Sequence, residues 1–151
     1  MKRMATKKAS SLFLSLALIG TAALTQVPAN ALMNGAHSDN SIQVFWEKFR
    51  AAVIKGDKAL VADLSQFPIS MPYGLPTVRT RAQLIKRYRD VFSHETDAAK
   101  CFSTAHPEID QARPKLFTVA CKNAAGDEVI IYSFARARTG WRFNGLDNIN
   151  E

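Results

Sequence analysis

The most informative segment of this chain is Ser41-Ile-Gln-Val-Phe-Trp-Glu-Lys-Phe-Arg-Ala-Ala-Val-Ile-Lys-Gly-Asp57. Its large apolar side chains recur every three or four positions, which is the spacing of one face of an α-helix. Asn40 or Ser41 can cap the start of this helix, and Gly56 is a typical stop. The buried face of the predicted helix comprises Ile42, Phe45, Trp46, Phe49, Ala52 and Val53.

Two more helices and one extended segment are predicted directly after it. Asp57 is a suitable N-cap for a short helix from Lys58 to Ser65. Phe67–Gly74 is interrupted by prolines, which excludes a helix and favours an edge strand followed by a turn. Thr80 can cap a third helix, Arg81–His94. The apolar face of that helix comprises Leu84, Ile85, Tyr88, Val91 and Phe92.

The last part of the chain has the pattern of a β-meander. Residues 95–114 are polar and irregular, with Cys101–Thr104 as a candidate short strand. Three β segments follow, and a glycine-containing turn separates each from the next. Helices followed by an antiparallel meander predict an α+β domain. The three segments are Lys115–Lys122, Glu128–Arg136 and Trp141–Leu146.

The N-terminus has the three parts of a secretory signal peptide. Residues 1–8 are basic, residues 12–24 are largely apolar, and Ala29-Asn30-Ala31 matches the pattern that a signal peptidase cleaves. A retained membrane anchor is the alternative, but the apolar stretch is shorter than the roughly 20 residues that a bilayer requires. We therefore predict a signal peptide at 1–31, a flexible leader at 32–40 and one domain at 41–151.

The predicted signal accounts for much of the basic composition. The whole chain has a formal net charge of +7 and a sequence pI of about 9.7, and several of the cations lie within residues 1–8. The pI therefore gives no support to nucleic-acid binding. We predict a bacterial protein that is periplasmic or secreted and has no membrane contact after cleavage.

Cys101 and Cys121 are the two cysteines of the chain. In an oxidising compartment such a pair favours a disulfide, which would contribute about 3 kcal/mol by restricting the unfolded chain. A metal pair or a redox pair is the alternative, but the sequence has no C-x-x-C and no histidine cluster beside either cysteine. We predict a structural disulfide, no metal site and no cofactor.

The order of these elements resembles the NTF2-like superfamily, which has a cystatin-like α+β fold. The matching residues are Phe45-Trp46-x-x-Phe49-Arg50-x-Ala52-Val53-x-x-Gly56-Asp57, then Phe67-Pro68, and Gly140-Trp141-Arg142-Phe143-x-Gly145. The resemblance covers most of 41–148. It implies a curved antiparallel sheet wrapped around a long helix, forming a cone with an open mouth. The superfamily includes ketosteroid isomerase-like enzymes, cyclases, dehydratases and non-catalytic binding domains, so fold alone does not give the function.

The resemblance also indicates which residues would line the cone. We expect a ligand to contact Trp46, Tyr73, Tyr88 and Tyr132, although such rings are also common in cores. Asp147 or Tyr88 is the candidate acid–base group, since burial in an apolar cone raises the pKa of a carboxyl group. An ordinary turn residue is the alternative for Asp147. The His–Asp arrangement of catalytic members is missing from the sequence, which favours a non-catalytic domain.

Basic residues suggest a second kind of site. Arg81, Arg87 and Arg89 lie close together along the predicted third helix, and more arginines surround the last hairpin at 136–142. If both groups face the same way, they form a positive patch for an acidic partner. A solvated helix face has the same composition. Exposed aromatic residues do not alternate with these charges, which argues against single-stranded nucleic acid.

The leading hypothesis is an exported, non-catalytic domain that binds a small apolar ligand in its cone or an exported protein partner on its basic face. The alternatives are an enzyme of the ketosteroid isomerase or dehydratase kind, and a structural domain of the cell envelope with a filled cone. A homodimer through the exposed side of the sheet is also compatible with the sequence, because neither face of the Lys115–Lys122 strand is strongly polar.

Overall fold

The computed structural model describes the backbone of residues 30–72 and 76–149, and the side chains of residues 40–72 and 76–149. This part of the chain contains five helices and five strands. The helices are α1 (Asn30–Lys55), α2 (Lys58–Asp63), α3 (Arg81–Lys86), α4 (Tyr88–Phe92) and α5 (Ala98–Thr104). The strands are β1 (Ser65–Ser70), β2 (Glu108–Ile109), β3 (Leu116–Lys122), β4 (Val129–Ala137) and β5 (Gly140–Asn148).

The strands form one curved, open sheet in the order β1-β5-β4-β3-β2. β3, β4 and β5 are the predicted antiparallel meander, and β2 pairs antiparallel with β3. β1 runs parallel to β5, with Ser65 opposite Phe143, so the sheet is mixed and not wholly antiparallel as we predicted. A parallel pair requires a long connection, and all the elements from α3 to β4 lie between these two strands. The predicted α+β class, with N-terminal helices and a curved sheet, is confirmed.

The first predicted helix is present, and its apolar face is buried as expected. Gly56 follows α1 with a φ of 68°, a left-handed conformation that favours glycine. α1 begins at Asn30 and includes residues 32–40, where we predicted an irregular leader. Packing fixes residues 42–53, and each residue added in front of them gains a hydrogen bond at little further cost. The predicted signal peptide lies outside the described residues apart from its last two positions, and cleavage after Ala31 stays a prediction.

The predicted helix Arg81–His94 is interrupted at Arg87. α3 ends before this residue and α4 begins after it, and Arg87 has a φ of −99° and a ψ of 21°. The Arg87 guanidinium donates to the carbonyl oxygen of Pro76 at 2.6 Å and to the carboxylate of Asp90 at 3.1 Å. The bond to Pro76 ties the interruption to the segment that precedes α3, and the bond to Asp90 joins it to the first turn of α4. The predicted apolar face is retained, with Leu84, Tyr88, Val91 and Phe92 buried.

Cys101–Thr104 belongs to a helix and not to the short strand that we predicted. Asp97 caps α5 by accepting a hydrogen bond from the backbone N–H of Lys100 at 3.0 Å, and Phe102 is fully buried. Four residues are too few to distinguish a strand from a helical turn by pattern. Cys101 is bonded to Cys121 of β3, with their Cα atoms 5.8 Å apart. The predicted disulfide is therefore present, and it ties α5 to the sheet.

Candidate functional site

Aromatic side chains fill the interior of the cone. The ring centroid of Phe49 on α1 lies 5.0 Å from that of Phe134 and 5.5 Å from that of Phe143. Phe102 on α5 lies 4.9 Å from Trp46 in an edge-to-face contact. All of these rings are buried, and each such aromatic pair contributes about 0.5–1.5 kcal/mol beyond the burial of its surface. Within the described part of the cone, protein side chains occupy the space that we assigned to a ligand.

Tyr88 and Tyr132 lie in this aromatic core. Tyr132 is 1% exposed and its hydroxyl donates to the carbonyl oxygen of Val91 at 3.3 Å. Tyr88 is 7% exposed and its hydroxyl donates to the carbonyl oxygen of Val53 at 3.3 Å. Burial, with a smaller contribution from the charge of Asp57, raises the pKa of Tyr88 to about 12. At neutral pH this phenol is therefore a hydrogen-bond donor and not a base.

Asp147 lies on the outer face of the sheet and is exposed. Simple alternation along β5 would place it on the same inner face as Phe143. Asn144, however, is an extra residue in β5, because Phe143 pairs with Phe134 while Gly145 pairs with Ser133. One inserted residue reverses the facing of every residue after it. Asp147 therefore lacks the position inside the cone that the predicted acid–base role requires.

The remaining predicted cone residues are Trp46 and Tyr73. Trp46 is 1% exposed and packs against the rings of the core. Tyr73 lies outside the described residues. The candidates that the structure brings together in the cone are therefore Trp46, Tyr88 and Tyr132, and all three act there as packing side chains.

A surface groove of about 400 Å³ lies between α1 and the β4–β5 hairpin. Gly140 has a φ of 113°, which favours glycine and allows the tight turn of this hairpin. Phe45, Leu64 and Trp141 form the buried part of its lining, and Val44, which is 65% exposed, lies at its rim. We call this site the hairpin groove. Its lining residues come from α1, from the end of α2 and from the hairpin.

The indole ring of Trp141 is held in place on three sides. Its Nε1–H donates to the hydroxyl of Ser41 at 3.1 Å. Its ring centroid lies 5.1 Å from that of Phe117 in an edge-to-face contact. The guanidinium carbon of Arg136 lies 5.8 Å from the indole centroid, which is within the range of a cation–π interaction. A ligand would therefore meet a rigid apolar surface, and little ordering would be needed on binding.

Three cations surround the hairpin groove: Lys48 on α1, Arg136 on β4 and Arg142 on β5. The Arg142 guanidinium donates to the carbonyl oxygen of Trp141 at 2.7 Å and to the hydroxyl of Thr139 at 3.1 Å, which orients it. No salt bridge among residues 40–72 and 76–149 includes any of the three cations. Their uncompensated charge favours an anion at this place.

The sequence predicted that the arginines of the last hairpin could form a positive patch with the third helix, but it did not predict a groove beside them. The sequence signal was present in the Gly140–Gly145 motif, which carries both Trp141 and Arg142. The missing information was that Lys48 and Leu64 lie beside that motif, because they come from two distant segments of the chain.

The predicted basic face on the third helix is partly neutralised. Arg81 donates to the carboxylate of Asp63 at 2.7 Å, and Arg87 donates to that of Asp90 at 3.1 Å. The hydrogen bond from Arg81 lowers the pKa of Asp63. Arg89 is exposed. Two of the three predicted partner-binding arginines thus already have acidic neighbours, and a partner for this face stays a prediction.

Within the described ranges there is neither a cluster of metal-binding side chains nor a helix that could span a membrane. No group of three or more His, Cys, Asp or Glu side chains in 40–72 and 76–149 has an arrangement that could hold a metal ion. His94 lies on the surface, with its Nδ1 2.7 Å from the carboxylate of Glu95. Among the helices of the described residues, none has the length and apolar character needed to cross a bilayer.

Comparison with known proteins finds similarity in solved structures. The chain matches no protein-family model and no curated protein. It is similar to an NTF2-like protein with a cystatin-like fold from Novosphingobium aromaticivorans, at 16% identity over 85% of this chain and 90% of that chain, with a TM-score of 0.47. It is also similar to a domain with a cystatin-like fold from Nostoc punctiforme (14% identity, 76% and 78% covered, TM-score 0.44). A further similar structure is an NTF2-like protein from Shewanella oneidensis (10% identity, 73% and 97% covered, TM-score 0.45).

The architecture of the chain is that of the NTF2-like cone. N-terminal helices lie against one face of a curved, open, mixed sheet, in the element order expected from the resemblance. The resemblance drawn from the sequence is therefore confirmed at the level of fold. At these low identities, no activity is transferred from the similar structures to this chain.

Proposed function

We propose that this protein is an exported, non-catalytic NTF2-like domain that holds a small apolar molecule with an acidic group in its hairpin groove. The observation that carries the proposal is the set of three cations, Lys48, Arg136 and Arg142, around an apolar surface. A carboxylate on an aliphatic stem complements both parts of such a site. The volume of about 400 Å³ falls within the range of about 300–1,000 Å³ that is common for small-molecule sites.

Each part of such a ligand has a counterpart in the groove. The oriented guanidinium of Arg142 would donate to the carboxylate, and an arginine can donate to both carboxylate oxygens at once. The stem would cover the exposed side chain of Val44 and the edges of Phe45 and Leu64. Covering Val44, which is 65% exposed, removes apolar surface from water and so favours binding.

The interior of the cone supports a non-catalytic role. Its space is filled by aromatic rings, Tyr88 is a bonded phenol with a pKa of about 12, and Asp147 is on the outer face. An enzyme of the ketosteroid isomerase or dehydratase kind needs an accessible acid–base group inside the cone. Export is part of the proposal, and the Cys101–Cys121 disulfide is compatible with an oxidising compartment.

The test is calorimetric titration of the purified protein with octanoate and with 1-octanol. We expect octanoate to bind and 1-octanol, which has the same stem without the charge, to bind about tenfold more weakly. Arg142→Gln should weaken octanoate binding by about tenfold as well, since it removes a charge-assisted contact.

Arg89→Gln is the matched control for this experiment. It removes the same charge from α4, outside the hairpin groove, and should leave the affinity for octanoate unchanged. An equal loss in Arg89→Gln and Arg142→Gln would contradict the proposal, because general electrostatics or the basic face would then be responsible. Absence of octanoate binding to the unaltered protein would contradict it outright.

A further inference from the structure

β5 contains an inserted residue at its centre that opens a second site. Asn144 has no opposite residue on β4, since its neighbours Phe143 and Gly145 occupy consecutive pairing positions. Such a β-bulge turns the extra side chain away from the regular alternation. Asn144 lines a pocket of about 380 Å³ on the outer face of the sheet, which we call the bulge pocket.

A row of polar side chains crosses the sheet at this level. Glu108 of β2 pairs with Thr118 of β3, and Thr118 pairs with Ser133 of β4, which is next to Asn144 on β5. These residues face outward, since the alternate residues of β3 and β4 are aromatic rings of the core. Because neighbouring strands are about 4.8 Å apart, the row extends over roughly 14 Å. It has a carboxylate at one end, an amide at the other and two hydroxyls between them.

The bulge pocket offers acceptors that have no donors. Oδ1 of Asn144 is buried and has no hydrogen-bond partner among the described residues, which is unfavourable unless a donor reaches it. The Glu108 carboxylate takes part in none of the salt bridges of residues 40–72 and 76–149. Asp110 differs, because Arg113 donates to it at 2.5 Å and the backbone N–H of Ala112 donates to it at 2.9 Å.

We propose that the bulge pocket binds a linear aliphatic polyamine that lies across the strands. The side chain of Asn144 turns toward the pocket so that its Oδ1 accepts from one ammonium group, and a second ammonium group pairs with the carboxylate of Glu108. The methylene groups between them pack on Leu116, which also lines the pocket. An ammonium group supplies up to three donors and no acceptor, which matches a row of acceptors. This site is distinct from the hairpin groove and opposite to it in charge.

The test is an NMR titration of the isotope-labelled protein with spermidine and, separately, with hexamethonium. Spermidine should shift the backbone amide resonances of Thr118, Ser133 and Asn144. Hexamethonium is also an elongated multivalent cation but has no N–H groups, so it should bind about tenfold more weakly. Without the four cations of residues 1–31 the formal net charge is still 7 − 4 = +3, which disfavours non-specific cation binding and makes a localised response informative.

Three variants distinguish spermidine binding in the bulge pocket from binding elsewhere on the surface. Asn144→Leu removes the unpaired acceptor, should weaken spermidine binding about tenfold and should leave the melting temperature equal or higher. Ser133→Ala keeps the Cβ beside Gly145 and should weaken binding several-fold, so it serves if the first variant does not fold. Asp147→Asn removes an exposed charge from the same face of β5 and should leave binding unchanged.

Each of the opposite results overturns the proposal. These are unshifted resonances at Thr118, Ser133 and Asn144, equal binding of hexamethonium, and undiminished binding in both Asn144→Leu and Ser133→Ala. A homodimer that protects the outer-face amides from hydrogen exchange also overturns it, because a second chain would then cover the pocket. The result does not depend on the hairpin groove, since Arg142→Gln should bind spermidine as the unaltered protein does.

Discussion

The interior of the cone and the hairpin groove each contain one tryptophan, and the two indole rings have different neighbours. Trp46 is 1% exposed and has aromatic rings around it, with Phe102 at 4.9 Å. Trp141 is 3% exposed, but it lies under the guanidinium of Arg136 and donates its N–H to the hydroxyl of Ser41. In the interior, apolar side chains of the protein itself surround the indole ring, whereas the groove presents cations to the solvent.

This difference indicates where the chain tolerates change and where recognition is possible. A close-packed interior loses stability when any of its aromatic side chains is replaced by a smaller one. The groove cations are on the surface, where substitutions usually alter the free energy of unfolding by less than about 0.5 kcal/mol. In this chain the cone supplies rigidity, and we propose that the rim of the fold supplies the binding chemistry.

The largest expected effect concerns the packing of the interior. Phe49→Ala should lower the free energy of unfolding by about 3–5 kcal/mol, because Phe49 is fully buried and contacts the rings of Phe134 and Phe143. Urea denaturation measures this. Val44→Ala on the same helix is the control, with an expected change below about 0.5 kcal/mol. A loss of under about 1 kcal/mol in Phe49→Ala would mean that the cone is loosely filled and that the contrast with the groove is wrong.

The second-largest effect on stability is expected from the disulfide that joins α5 to the sheet. The double variant Cys101→Ala/Cys121→Ala should lower the free energy of unfolding by about 3 kcal/mol, since the bond closes a loop with a sequence separation of 20. The same denaturation experiment on the oxidised protein gives the reference. Unchanged stability in the double variant would show that the aromatic contacts of Phe102 alone hold α5 in place.

A smaller effect concerns the bonded phenol at the edge of the interior. The folded-state pKa of Tyr88, about 12, is above its ordinary value of about 10. The folded state therefore keeps the proton longer than the unfolded state, and its contribution to stability is full below about pH 10 and is lost as the pH rises through about 12. Tyr88→Phe has no such proton to lose, so its free energy of unfolding should fall less steeply over this interval.

At neutral pH the same substitution should cost only about 0.5–1 kcal/mol, because the Val53 carbonyl oxygen also accepts from the backbone N–H of Gly56 at 3.0 Å. Denaturation curves of both proteins near neutral pH and at alkaline pH measure the two quantities. Parallel pH profiles would show that Tyr88 is in contact with water.

The smallest effect on stability is expected in the hairpin groove. Lys48→Gln and Arg136→Gln should each change the free energy of unfolding by less than about 0.5 kcal/mol. Each should nevertheless weaken octanoate binding several-fold, and added salt should reduce the difference between variant and unaltered protein. A large loss of stability in either variant would show that these cations hold the fold together, which would remove the contrast between groove and interior.

Much of the fold could be predicted because regular spacing determines which side chains share a face. The inner-face residues predicted within 42–53 follow the helical repeat and are buried as expected. Alternation groups Phe117 with Val119 and Cys121, and Ile130 with Tyr132 and Phe134, and both groups are buried. Caps were also predictable, since Asp57 and Thr80 accept the expected bonds from Leu60 and Gln83. These signals are local, and so a single sequence contains them.

The errors arose where a residue's position depends on its neighbours in space. The bulge at Asn144 is defined by pairing with β4, and it turns Asp147, which the resemblance had placed inside the cone, to the outer face of the sheet. The parallel pairing of β1 with β5 joins segments far apart in the chain. The hairpin groove likewise combines Lys48 with Arg142. None of these relations has a local signature.

The most direct test of the central claim uses the two tryptophans as paired reporters. The claim is that the ligand is held outside the cone, in the hairpin groove. An NMR titration with octanoate should move the indole N–H resonance of Trp141 and leave that of Trp46 in place, with Trp46→Phe identifying the two signals. Movement of the Trp46 resonance while that of Trp141 stays fixed would place the ligand inside the cone and contradict the account.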